Sequence, residues 1–194
     1  MPNRESGINL IELIVSIVLM SLVLLGFFSI NLFSLRHVIG SDRRAKLQNE
    51  ISYTIEYMSK YVQQSIGDFN NPPIERYPSA GPQRSFQVRV DLNNPQTPSD
   101  LNDDTWVSFR LNGNTLRAHQ NATNEILTER ISGDFDTNVM PEFPDKGFYV
   151  NITDQGTAVD IGLVGRYKPA VVASPDNPQI SMKTRLISPS SSAQ

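Results

Sequence analysis

The sequence predicts an α+β chain: one long N-terminal helix followed by mostly antiparallel strands, with the helix covering one sheet face. Three observations carry this. Residues 13–35, LIVSIVLMSLVLLGFFSINLFSL, are 23 in a row without a charge. Behind them apolar residues recur at steps of three and four as far as Ile66, and from Phe86 onward the period shortens to two.

As a helix the charge-free run covers about 34 Å, enough to cross a hydrocarbon core about 30 Å thick. A secretory signal peptide has a shorter apolar region followed by small residues at a cleavage site, and the SLRHVIG that continues this run offers no such site. A plain signal anchor fits the length. Arg36, Arg43, Arg44 and Lys46 follow the run, whereas Arg4 and the amino terminus precede it. By the positive-inside rule that count favours a cytoplasmic C-terminal side.

Leu47, Ile51, Ile55, Met58, Val62 and Ile66 form one face of an amphipathic continuation. Gly67 supplies a stop, and Asn70-Asn71-Pro72-Pro73 a turn. Unbroken from Ile8 to Ile66, the helix would extend about 88 Å. Gly40-Ser41-Asp42 is a candidate kink between its halves, and Gly26 is the weak point of the apolar half.

Pro72, Pro73, Pro78, Gly81 and Pro82 make 68–84 an irregular connection. Phe86, Val88, Val90 and Leu92 alternate with polar residues as in a half-buried strand. A second strand over 105–111 turns at Asn112-Gly113-Asn114 into 115–119. Weaker strand patterns cover 126–131 and 135–140. Residues 148–152 turn at Asp154-Gln155-Gly156 into 158–167, the clearest hairpin, and a proline-rich loop at 169–178 leads to a last strand over 180–187. The tail from 189 to 194 reads as disordered.

Composition and motifs exclude several classes of function. A net charge of -3 and a pI near 5.4 give no broad basic surface, so nucleic acid contact is not expected. The absence of cysteine removes a disulfide scaffold, a thiolate zinc site and a Cys nucleophile together. His37 and His119 lie far apart in sequence, and no serine sits in a Gly-x-Ser-x-Gly turn, so the chain reads as a non-enzyme without a cofactor. Asp100, Asn102 and Asp104 place oxygens at alternate positions, as the start of a calcium loop does. Thr105 stands where the loop needs glycine and Leu111 where it needs glutamate, so a solvated turn is the expectation. Asn121-Ala122-Thr123 has the spacing of a glycosylation acceptor, a triplet common by chance.

The most informative stretch precedes the apolar run. Gly7-Ile8-Asn9-Leu10-Ile11-Glu12-Leu13-Ile14-Val15 resembles the processing motif of type IV pilins and type II secretion pseudopilins, a short polar leader ending in glycine before a Leu-Ile-Glu-Leu that opens a long apolar helix. Ile8 stands where phenylalanine is usual in that family, and Asn9 where threonine is common. The resemblance implies cleavage by a prepilin peptidase between Gly7 and Ile8, and N-methylation of Ile8. It further implies that Glu12 pairs with the N-terminal amine of a neighbouring subunit during filament assembly. An ionised carboxylate at membrane depth costs several kcal/mol unless partnered, and a helix N-terminus favours a negative side chain in its first turn. Glu12 would therefore act as a register mark.

The resemblance implies a pilin-like fold divided into a leader at 1–7, a transmembrane and filament-core helix at 8–35, its amphipathic continuation at 36–67, an extracytoplasmic β-rich domain at 68–188 and the tail. It implies as partners other pilin or pseudopilin subunits, the peptidase, an inner-membrane assembly platform with its ATPase, and membrane lipid. The location implied is a single pass of the inner membrane with the C-terminal domain outside, then a pilus or pseudopilus. Against the positive-inside count, the motif places the domain outside. The strand order is similar to that of larger minor pilins and pseudopilins, and the large, loop-rich globular part without a cysteine pair favours a minor subunit. The alternative reading is a membrane-anchored extracytoplasmic binding or adhesion module, for which the helix is a tether.

Overall fold

A computed structural model of the chain describes residues 9–68, 70–77, 85–93, 100, 102–132 and 147–189. The helix α1 runs from Leu10 to Gln63, 54 residues without a break, a length of about 81 Å. It passes through Gly26 and through Gly40-Ser41-Asp42 as regular helix, so the candidate kink is not one. Its apolar side chains from Leu10 to Leu35 are all exposed, whereas Leu47, Ile51, Thr54, Met58 and Val62 are fully buried. The expected core face is thus observed at Leu47, Ile51, Met58 and Val62, with Ile55 half-buried beside it. Thr54 joins that face because its hydroxyl donates to the Glu50 carbonyl at 2.9 Å, which removes the cost of burying it.

The helix ends at Gln63, three residues before the expected Ile66. Competition from a sheet explains the difference. Ser65 forms a bridge with Val90, and the Ile66 N–H donates to the Arg89 carbonyl at 3.0 Å, so the chain is captured by a strand before Gly67 is reached.

Among the described residues eight strands follow: β1 Ile74–Arg76, β2 Ser85–Val90, β3 Thr105–Asn112, β4 Thr115–Gln120, β5 Thr123–Thr128, β6 Phe148–Thr153, β7 Ala158–Arg166 and β8 Gln179–Ile187. All pairings are antiparallel, and among the described residues they form two meanders, β1-β2-β3-β4-β5 and β6-β7-β8. The α+β arrangement of one long helix on antiparallel sheets is as expected and consistent with a pilin-like fold; the division into two sheets is new. The short β1 lies in the stretch read as an irregular connection, because three residues beside two prolines carry no periodic signal. β5 begins earlier than expected, after a turn at Asn121-Ala122 in which Asn121 takes a φ of 51°, a conformation asparagine tolerates. The end of the expected 126–131 strand belongs to the other sheet: Ile131 bridges Gly165, the Ser132 N–H donates to the Val164 carbonyl at 2.7 Å, and the Arg166 N–H donates to the Arg130 carbonyl at 2.8 Å. The strand expected at 135–140 lies outside the described residues, as do 1–8 and 190–194.

Both sheets share one core with α1. Phe86 stacks on Phe109 at 4.9 Å within the first sheet, and Phe148 of the second stands 6.5 Å from Phe86. The helix meets the second sheet at Gly165. A Cβ there would lie 2.7 Å from Ile51 Cδ1 and 3.1 Å from Leu47 Cδ1, so only glycine lets α1 approach β7 this closely. The 3-10 turn Asp154–Gly156 joins β6 to β7 with Asp154, Gln155 and Gly156 all at positive φ. Gly156, at φ 87°, also faces Ile74 backbone at a distance no side chain permits.

Gly165→Val therefore crowds Leu47 and Ile51 and destabilises the detergent-solubilised chain by about 1–3 kcal/mol, read as a lower melting temperature by near-ultraviolet circular dichroism. Gly26→Ala, where nothing lies within 4 Å of the added Cβ, leaves that transition in place.

Candidate functional site

The site that the motif singles out is the start of α1. Asn9 has extended backbone, with φ -68° and ψ 133°, and its carbonyl accepts the N–H groups of Glu12 at 2.9 Å and Leu13 at 3.2 Å. Glu12 is therefore the third residue of the helix. Among the described residues no side chain caps this end, so its free N–H groups and the positive pole of the helix dipole are compensated locally by the Glu12 carboxylate alone. Gly7 and Ile8 lie outside the described residues.

Beyond Glu12 the helix is long and apolar enough to cross a membrane. Its polar side chains are handled accordingly. Ser16, Ser21 and Ser29 donate to the carbonyls of Glu12, Ile17 and Leu25 at 2.8, 2.8 and 2.9 Å, so those hydroxyls need no partner outside the helix. A surface of this size and composition is far larger than a soluble monomer leaves bare.

The second half of α1 is fixed to the sheets by polar grips that flank the apolar face. Glu50 accepts the Thr128 hydroxyl at 2.6 Å and pairs with Arg130 at 3.1 Å. Tyr57 donates to Glu125 at 2.5 Å, and Tyr61 donates to Gln120 at 3.3 Å. The Tyr57 and Tyr61 rings, 5.2 Å apart, both stand edge-on to Phe109. At the helix end Ser65 donates to the Val62 carbonyl at 2.6 Å, and its oxygen and that of Ser188 are hydrogen-bonded at 2.7 Å. Sequence reasoning missed these residues. Glu50, Thr54, Tyr57 and Tyr61 do recur at steps of four, three and four, but polar side chains on a helix ordinarily indicate a solvated face. Burial, and then the hydrogen bond to Glu125, hold the Tyr57 hydroxyl protonated well above its ordinary range. Together the grips make helix and sheets one body, so a force on α1 is carried into the sheets.

The remaining candidates have local roles. His37 stands 3.5 Å from the Ser41 hydroxyl one turn on. His119 lies on β4, and burial followed by the Arg110 and Arg117 charges keeps its pKa below the ordinary imidazole value. The two do not converge, and among the described residues no group of three or more His, Asp or Glu is placed to hold a metal. In the acidic loop the Asp100 carboxylate accepts the Asn102 N–H at 3.1 Å, and Asp103 accepts the Asn93 amide at 2.8 Å. These acids tie turns. Asn121 forms the β4–β5 turn.

The chain was compared with known protein families, with curated proteins and with solved structures, and it matches none of them.

The Tyr57 grip has a pH signature. Its folded pKa is raised above the value of about 10 expected when unfolded, so its contribution is full below about pH 10 and is lost as pH rises further. Tyr57→Phe should flatten the alkaline decline of stability, measured as denaturation midpoints from pH 9 to 11.

Proposed function

We propose that the chain is a minor structural subunit of a type IV pilus or type II secretion pseudopilus, assembled through α1. One observation carries the reading: behind the Gly7-Ile8 junction, a carboxylate occupies the first turn of an unbroken helix whose next 23 residues carry no charge. A tether needs the apolar residues and has no use for the acid. A subunit that must stop at one depth among parallel helices has such a use.

In this reading a prepilin peptidase cuts between Gly7 and Ile8, the new amine of Ile8 is methylated, and the globular part stands outside the inner membrane. The flanking cations favour the opposite orientation only as a statistical preference, and the motif is the more specific signal. An assembly platform then draws the helix out of the bilayer, so that the charge-free run exchanges lipid for neighbouring subunits. Lipid and protein are similarly apolar, so that exchange gains little by itself. Selectivity comes from the Glu12 carboxylate meeting the N-terminal amine of a neighbour, and direction from an ATPase motor. The polar grips at Glu50, Tyr57 and Tyr61 support a structural role, since they couple the outer domain to the helix that is pulled.

Glu12→Ala should leave the chain processed and membrane-embedded but absent from sheared filaments, assayed by immunoblot of membrane and filament fractions. Incorporation at the wild-type level would refute the pairing.

A further inference from the structure

The loop between β7 and β8 is organised around one buried side chain. Asn177 is 4% exposed. Its Nδ2 donates to the carbonyls of Lys168, Val171 and Val172 at 3.1, 2.9 and 3.1 Å, and its Oδ1 accepts the Lys168 N–H at 2.7 Å. Arg166, gripped by Gln179 at 2.6 Å, adds bonds to the carbonyls of Pro169 and Val171 at 3.3 and 3.1 Å. The carbonyls of Lys168, Pro169, Val171 and Val172 are thus satisfied by the side chains of Asn177 and Arg166. The loop's apolar side chains are not covered: Val171 is 50% exposed and Val172 81%. A pinned loop that displays two adjacent valines has the form of an apolar contact surface.

Its position indicates what it contacts. The loop leans on α1 just where the charge-free run ends. Arg43 Nη1 donates to the Asp176 carbonyl at 2.5 Å, and a Cβ on Gly40 would lie 2.8 Å from the Pro175 carbonyl. Phe33, Arg36 and His37 share a groove with residues 173–176 and 178–181. If the run ending at Leu35 fills the hydrocarbon core, Gly40 lies about 7.5 Å further along the axis, at the outer edge of the headgroup layer, and Phe33 and Arg36, which line the same groove, lie at the acyl boundary. Over 36–46 and 168–178 the chain carries Arg36, Arg43, Arg44, Lys46 and Lys168 against Asp42 and Asp176, an excess of positive charge that begins with Arg36 at the end of the run and continues outward from the headgroups.

We propose that this loop is a membrane-interface anchor. Val171 and Val172 seat at the acyl boundary while the surrounding cations meet anionic phospholipid headgroups, and the globular part is thereby held against the bilayer until α1 is withdrawn. A neighbouring copy is the other occupant to consider, but the depth and the charge excess favour lipid. The proposal rests on α1 crossing the membrane, as in the proposed function.

The chain has no cysteine, so a single environment-sensitive fluorophore can be placed at will. Full-length Val172→Cys, Asn124→Cys on exposed β5, and Leu22→Cys within the apolar run are labelled and reconstituted in phosphatidylcholine vesicles with and without phosphatidylglycerol. Quenching is read with acyl-brominated lipid. The anchor predicts a blue shift and quenching at 172, stronger with the anionic lipid, and none at 124. Quenching at 22 with a water-like signal at 172 overturns the anchor and leaves the membrane span standing. A water-like signal at both 22 and 172 removes the span and the anchor with it. A signal at 172 that rises with protein density and ignores lipid composition assigns the loop to a neighbouring copy and also overturns the proposal.

Discussion

The constraint on which the structure depends is that one helix must satisfy two apolar environments in succession. From Leu10 to Leu35 every side of α1 needs cover; from Leu47 to Val62 one face alone does. A single hydrogen-bonded rod meets both demands because it satisfies its own backbone wherever it lies. Ser16, Ser21 and Ser29 of the apolar half follow the same rule by bonding back to carbonyls four residues earlier. Among the described residues nothing packs on its first half, which is long and apolar enough to cross a membrane.

The outer part is built to hold α1 at a fixed angle. Gly165 lets the helix rest on the second sheet, and Phe86, Phe109 and Phe148 join the two sheets beneath it. Half-buried polar partners at Glu50 and Tyr57 add direction to apolar contacts that have none of their own. Since helix and sheets share a core, the sheets cannot tilt without breaking it. That rigidity suits the proposed role, in which the N-terminal half positions the whole molecule.

Much of this architecture was legible in the residues because its signals are periodic. The charge-free run, the three-and-four spacing from Leu47 to Val62, the Phe148 hairpin and the last strand all lie where the patterns indicate. What was not legible depends on contacts between distant segments. The helix stops at Gln63 because β2 captures Ser65 and Ile66. β1 exists only as the partner of β2, and Ile131 leaves the first sheet because Gly165 receives it. Glu50 and Tyr57 read as solvated until Thr128, Arg130 and Glu125 are brought beside them. Glu12 is the reverse case: no periodicity marks it, and its proposed significance comes from the nine-residue stretch that contains it and from its place in the first turn.

The central claim is that the Gly7-Ile8 bond is opened to create the amine that answers Glu12. Intact mass of the chain isolated from cells with an active prepilin peptidase tests this most directly. The account predicts a mass lacking Met1 through Gly7 and carrying one added methyl on Ile8. A chain that retains its first seven residues would contradict it.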